Sequence, residues 1–153
     1  MASCVTEGPP APPAPRPSPP QPADARPDHL VTTAPQVPED TDRNGYYDQF
    51  TVTVYLFDSR YATPIDVPGT FEFRLSAPDG RELARWAFDE SRTRAALRRF
   101  MVGPGYQFSL NLLDAGGDRL PLTEALLCPE FRPAGGEAVV PRGGVTVMVG
   151  PAR

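Results

Sequence analysis

From Phe50 onward the chain alternates apolar and polar residues with a period of two. Phe50, Val52, Val54 and Leu56 share one face of a segment whose other face carries Thr51, Thr53, Tyr55 and Phe57. Phe71, Phe73 and Leu75 alternate with Glu72, Arg74 and Ser76, and Ala84, Trp86 and Phe88 with Arg85 and Ala87. Tyr106, Phe108, Leu110 and Leu112 alternate with Gln107, Ser109 and Asn111, and Val145, Val147 and Val149 close the series. Side chains two apart point the same way on an extended chain, so each segment reads as a half-buried strand. Turn signals fall between them at Pro68-Gly69, Pro78-Asp79-Gly80, Gly103-Pro104-Gly105, Gly116-Gly117-Asp118, Gly135-Gly136 and Gly143-Gly144. Asp79-Gly80 predicts a tight hairpin.

Five clear strands, with weaker ones near Leu120–Leu122 and Ala138–Val140, make about seven. One apolar face per strand calls for two antiparallel sheets over a shared core, an all-β sandwich. Residues 89–101 interrupt the alternation and read as one short helix or crossover, with Leu97, Phe100 and Met101 sealing one end. Asp89 and Glu90 at its start and Arg92, Arg94, Arg98 and Arg99 toward its end suit the helix dipole, so the arginines read as a solvated face.

Composition divides the chain. Twelve of the 21 prolines lie within residues 9–38, and no Phe, Trp or Tyr precedes Tyr46. Such a segment has too little apolar surface to offset its ordering entropy, so residues 1–38 are expected to be a disordered, Pro-rich tether and residues 39–153 the sandwich domain. All 15 basic residues are Arg, the net charge is −4, and no basic stripe follows a predicted element. Nucleic acid is thereby an unsuitable partner.

Catalytic signatures are missing from the sequence: there is no Gly-x-Ser-x-Gly, phosphate loop, His-Glu-x-x-His or dinucleotide fingerprint, and a non-enzyme is expected. Asp58 and Asp66 flank a turn, but read as surface acids. Trp86, the single Trp, reads as core. Cys128 reads as a small buried hydrophobe, although a Cys4–Cys128 disulfide stays open in an oxidising compartment.

The distinctive chemistry is in Asp40-Thr41-Asp42-Arg43-Asn44-Gly45-Tyr46-Tyr47-Asp48. Oxygen-bearing side chains at loop positions 1, 3, 5 and 9, with Gly at 6, fit a Ca²⁺ loop: a hard cation wants six to eight oxygens, and the glycine lets the chain turn sharply enough to gather them. Asp40, Asp42 and Asn44 would offer side-chain oxygens, Tyr46 its carbonyl and Asp48 a direct or water-bridged oxygen. Position 12 is Thr51, where a helix-flanked loop of this kind has a bidentate Glu. A missing ligand would have to come from elsewhere, with Asp58 and Asp66 as candidates. The bland alternative is a solvated Asn-Gly turn. The expected cofactor is a structural Ca²⁺ at the tether junction.

The loop resembles the helix-free, Asp-rich repeats of extracellular calcium proteins. Met1-Ala2-Ser3-Cys4 resembles the end of a bacterial lipoprotein signal, in which small residues precede a Cys that becomes lipidated, although the charged and apolar segments that precede that motif are not in this sequence. Residues 100–112, with Gly103-Pro104-Gly105-Tyr106-Gln107-Phe108-Ser109-Leu110, are similar to a strand opening in bacterial immunoglobulin-like and transthyretin-like modules. Together these look like a bacterial envelope lipoprotein. The resemblance implies a membrane-tethered, extracytoplasmic module for binding or structural support, lipid-anchored at Cys4, with an unknown protein or glycan partner. Two alternatives stay open. One is a carbohydrate-binding or hydrolase-accessory module, which needs aromatic side chains exposed on one sheet face. The other is an intracellular adaptor using its Pro-rich tail.

Overall fold

A computed structural model describes residues 19–152; Cys4 and the rest of residues 1–18 lie outside them. The strands are β1 (His29–Thr33), β2 (Gln49–Phe57), β3 (Gly69–Ser76), β4 (Glu82–Phe88), β5 (Leu97–Phe100), β6 (Gly103–Asn111), β7 (Thr123–Pro133) and β8 (Val145–Val149), with one helix, α1 (Glu90–Ala96), between β4 and β5. A 3₁₀ turn, Leu113–Ala115, follows β6. The strands form two four-stranded sheets, ordered β1-β2-β6-β5 and β4-β3-β7-β8. All pairings are antiparallel. This is the β-sandwich that the period-two pattern demands.

The inward rows of the two sheets meet in one core. Phe50, Val52, Val54 and Leu56 of β2 and Phe71, Phe73 and Leu75 of β3 are essentially inaccessible to solvent. Phe71 is the hub of an aromatic group, with ring centroids 4.7–5.8 Å from Phe73, Tyr106, Phe108 and Phe131. Trp86 belongs to this core: it meets Phe50 edge-on, and its indole N–H donates to Asn111 O at 2.8 Å. The β3–β4 hairpin turns at Asp79-Gly80, where Gly80 has φ +85° and its N–H donates to Ala77 O at 2.9 Å.

The sandwich begins earlier than the composition boundary implies. β1 lies inside the expected tether, yet pairs with β2 from His29↔Phe57 to Thr33↔Thr53 and buries Leu30 in the core. Five non-proline residues, His29–Thr33, give enough backbone donors for a short edge strand even in a Pro-rich setting. Upstream, residues 19–28 lie against the end of the first sheet. The Gln21 side-chain amide donates to Asp66 O and accepts from Asp66 N, both at 2.8 Å, and the Tyr61 hydroxyl donates to Pro19 O.

The helix and the weaker strands also differ from expectation. α1 is only seven residues long, capped by Asp89, whose side chain accepts from Arg92 N, and it buries Thr93 and Ala96. The chain then becomes β5, and Met101, expected to seal the core, is fully exposed at the β5–β6 turn. Leu120–Leu122 is not a strand, and Val139 makes only a bridge to Phe131. A further strand, β7, runs through Leu126-Leu127-Cys128-Pro129. It tolerates Pro129 because of position. Phe131 N donates to Val139 O, so the nitrogen two residues earlier faces the same side, in the gap between that bridge and the end of β8 opposite Leu127. Cys128 points to the outer face and is half-buried beside Gly144, where burial pushes its thiol pKa up.

Candidate metal centre

The Asp40–Asp48 segment joins β1 to β2. Since β1 is part of the first sheet, the loop caps one end of the sandwich and does not stand at the junction of tether and domain. Residues 19–28 dock at the other end of β2. The loop is tied to both sheets. Asp48 N donates to Glu39 O at 2.8 Å and Leu112 N to Asp48 O at 2.7 Å, fixing it to the ends of β2 and β6. Tyr47 N donates to Gly150 O and Ala152 N to Gly45 O, fixing it to the segment that follows β8. Two residues turn left-handed, Arg43 at φ +59° and Gly45 at φ +88°. Nothing lies within 4 Å of where a Gly45 side chain would begin, so the glycine serves backbone conformation alone.

These turns gather three carboxylates. One oxygen each from Asp40, Asp42 and Asp48 lies within 4.8 Å of the others. Oxygens bound to one Ca²⁺ at about 2.4 Å are at most about 4.8 Å apart, so the three fit around a single ion. Asp48 is the foundation. Its side chain is completely buried and accepts from Thr41 N at 2.9 Å, Thr41 Oγ1 at 2.6 Å and Asp42 N at 3.3 Å. Asp40 accepts from Asn44 N and Gly45 N at 3.1 and 3.0 Å, and Asp42 from Asn44 N and Nδ2 at 3.1 and 3.0 Å. The carboxylates are therefore preset by main-chain donors.

Asn44 links the cluster to a further acid. Its Nδ2 donates to Asp118 Oδ2 at 2.6 Å, while its Oδ1 accepts from Tyr46 N at 2.9 Å. Asp118 is 3% exposed and arrives from the turn after β6. Asp58 and Asp66, the candidates considered from the sequence, both lie at the opposite end of the sandwich. Only the Gly116-Gly117-Asp118 turn signal hinted that Asp118 was placed on a tight bend. Tyr46 is half-buried, bridges by backbone to Pro151 and carries the Arg119 guanidinium 5.5 Å above its ring. Thr51, at position 12 of the loop, lies within β2.

A second acidic group, at the other end, shows how this protein neutralises a buried carboxylate by itself. Asp58, 2% exposed, accepts from Arg60 Nη2 at 2.7 Å, Arg60 Nε at 3.0 Å and Arg26 N at 3.0 Å. The Arg60 guanidinium holds its carboxyl well below the usual carboxylate range, with the Arg26 and Arg60 N–H groups assisting. Asp28 is brought down to about 2, chiefly by the Ser59 hydroxyl and then by His29. In contrast, none of Asp40, Asp42, Asp48 and Asp118 makes an ion pair among the described residues.

No helix among the described residues is long and apolar enough to cross a membrane. Compared with protein families, curated proteins and solved structures, the chain finds no match.

Proposed function

We propose that this chain is a non-enzymatic, extracytoplasmic β-sandwich module, tethered to the bacterial envelope through Cys4, whose 40–48 loop takes a Ca²⁺ ion to lock one end of the fold. The observation that carries the metal reading is the convergence of Asp40, Asp42 and buried Asp48, none of which makes an ion pair among the described residues. Concentrated negative charge in a partly dehydrated site favours a cation, and an all-oxygen donor set favours a hard one. With Asp118 reaching the cluster through Asn44, the acids come from two segments that must both be folded. Because the loop also holds residues 150–152, an ion there would tie the two sheets together. Without a bidentate Glu the site belongs to the weak, extracellular class, with Kd about 10⁻⁴–10⁻³ M. That range suits a location outside the cell membrane. Tethering rests on the Ala2-Ser3-Cys4 resemblance and the proline-rich run that follows it.

The test is thermal unfolding of the whole chain in millimolar Ca²⁺, in millimolar Mg²⁺ and in excess chelator. Ca²⁺ should raise the midpoint by several degrees through mass action on the folded state, with Mg²⁺ far weaker. Asp42→Asn, at an exposed position, should abolish the Ca²⁺ increment while leaving the midpoint in chelator unchanged. Equal midpoints in Ca²⁺ and chelator would reduce the loop to a structural turn.

A further inference from the structure

The two outer faces of the sandwich differ in chemistry. On the second sheet the outward rows are charged: Glu72 and Glu82 pair with Arg74 and Arg85 at 2.7–3.6 Å, and Glu130 pairs with Arg132 at 2.8 Å. On the first sheet, β2 and β6 turn outward Gln49, Thr51, Thr53, Tyr55 and Phe57 alongside Gln107, Ser109 and Asn111. None of these carries a formal charge. Charges stand only at its edges: exposed Glu39, bridged to Gln49, at one end, His29 of β1, paired with Asp28, at the other, and Arg98 of β5 at one margin.

The uncharged rows of β2 and β6 have two parts. Toward one end lies a ring cluster: His29 stacks on Phe57 with centroids 5.1 Å apart, and Tyr55 meets Phe100 at 5.6 Å. Tyr55 and Phe100 fill the space above Gly105, where a Cβ would come within 2.7 and 3.1 Å of their rings. That glycine lets aromatic rings lie low over the strands. Toward the other end the side chains of Gln49, Thr51, Gln107 and Ser109 make no hydrogen bond among the described residues. Gln107 and Ser109 are exposed. The nine residues of β2 make the face about 30 Å long at about 3.4 Å per residue.

We propose that the outer face of the β1-β2-β6-β5 sheet binds a neutral polysaccharide laid along β2 and β6. The proposal rests on the reading of the chain as a binding module and names that module's ligand. A sugar chain presents apolar C–H faces and many hydroxyls, each of which must find a partner when dehydrated. Rings at one end and uncommitted amides and hydroxyls along the rest supply both. The lack of charge along β2 and β6, with the Glu39 carboxylate beside Gln49, argues against an anionic glycan. The position of the rings argues against a protein partner, since a protein interface places its apolar centre inside a polar rim, whereas here the apolar group sits at one end.

The experiment is retention of the full chain on insoluble cellulose and chitin, and affinity electrophoresis in β-glucan, mannan, arabinan and polygalacturonate. Each is run in Ca²⁺ and in chelator. Gln107→Glu and Ser109→Asp change exposed side chains, and their thermal midpoints verify folding. Each should weaken retention on at least one neutral glycan about tenfold, the worth of one or two hydrogen bonds. Thr146→Glu, on the opposite outer face, should leave it unchanged. Retention that survives chelator separates this site from the metal loop. Absence of retention on every neutral glycan, with the Ca²⁺ midpoint shift intact, overturns this proposal and leaves the calcium reading standing. Retention on polygalacturonate alone, retention insensitive to Gln107→Glu and Ser109→Asp, or a dimer that Gln107→Glu dissociates without glycan retention would each overturn it too.

Discussion

Asp48 and Asp58 are both buried carboxylates, at 0% and 2% exposure, and they lie at opposite ends of β2. Asp58 has a guanidinium two residues away and needs nothing from outside the chain. Asp48 is solvated by two N–H groups and a hydroxyl, with two more carboxylates within reach of the same point. An acid that stabilises a loop and one that awaits a counter-charge differ in a single respect. Burial and hydrogen bonds are common to both, and the partner's charge separates them.

Asp48→Ala would leave three donors of Thr41 and Asp42 without their partner in a part-buried site, so urea denaturation should show a loss of about 2 kcal/mol, within the range for an unsatisfied polar group. That loss should be larger in Ca²⁺ than in chelator. A loss equal in both buffers would place Asp48 in the same structural class as Asp58.

Acid titration addresses the other end. Asp28 and Asp58 have folded-state pKa values below those of the unfolded chain. Their contribution to stability is therefore complete above the unfolded carboxylate value near about 4, and it is lost as pH falls through the folded values, from about 4 to about 2 for Asp28. Asp58→Asn should flatten this acid limb in a pH series of thermal midpoints without altering any response to Ca²⁺. A changed Ca²⁺ response would couple the two ends.

Glycine substitutions sharpen the contrast further. Gly45 and Gly80 have nearly equal φ, +88° and +85°, and open space where a Cβ would go. Alanine at either should cost about 1 kcal/mol of left-handed strain. Only Gly45→Ala should also weaken the response to Ca²⁺, measured as the midpoint difference between metal and chelator. Finally, Arg85→Gln, in the exposed charge ladder of the second sheet, should leave the denaturation midpoint within experimental scatter, because exposed ion pairs gain little in water.

What was legible in the sequence followed from local periodicity. β2, β3, β4 and β8 each show apolar residues two apart, as β6 does from Tyr106 onward, and the sandwich follows from needing to cover every apolar face. β7 was hidden because Pro129 and Cys128 interrupt a run whose inward residues are nonetheless Ala125, Leu127, Pro129 and Phe131. β1 is masked by the proline content of the 38 positions around it, while strand formation depends on five. The same locality governed the metal site. Asp40, Asp42 and Asp48 lie within one loop and were found by spacing. Asp118 reaches the loop across 74 positions, through a contact that only tertiary structure creates.

The backbone bonds from Gly45 and Tyr47 to residues 150–152 have a kinetic consequence. They join positions about a hundred residues apart, and contacts so distant in sequence form late, after the sheets have paired. An ion held by this loop would thus stabilise the finished fold and leave the folding transition state nearly untouched. Calcium should act as a latch on a closed structure, slowing its unfolding without hastening its assembly.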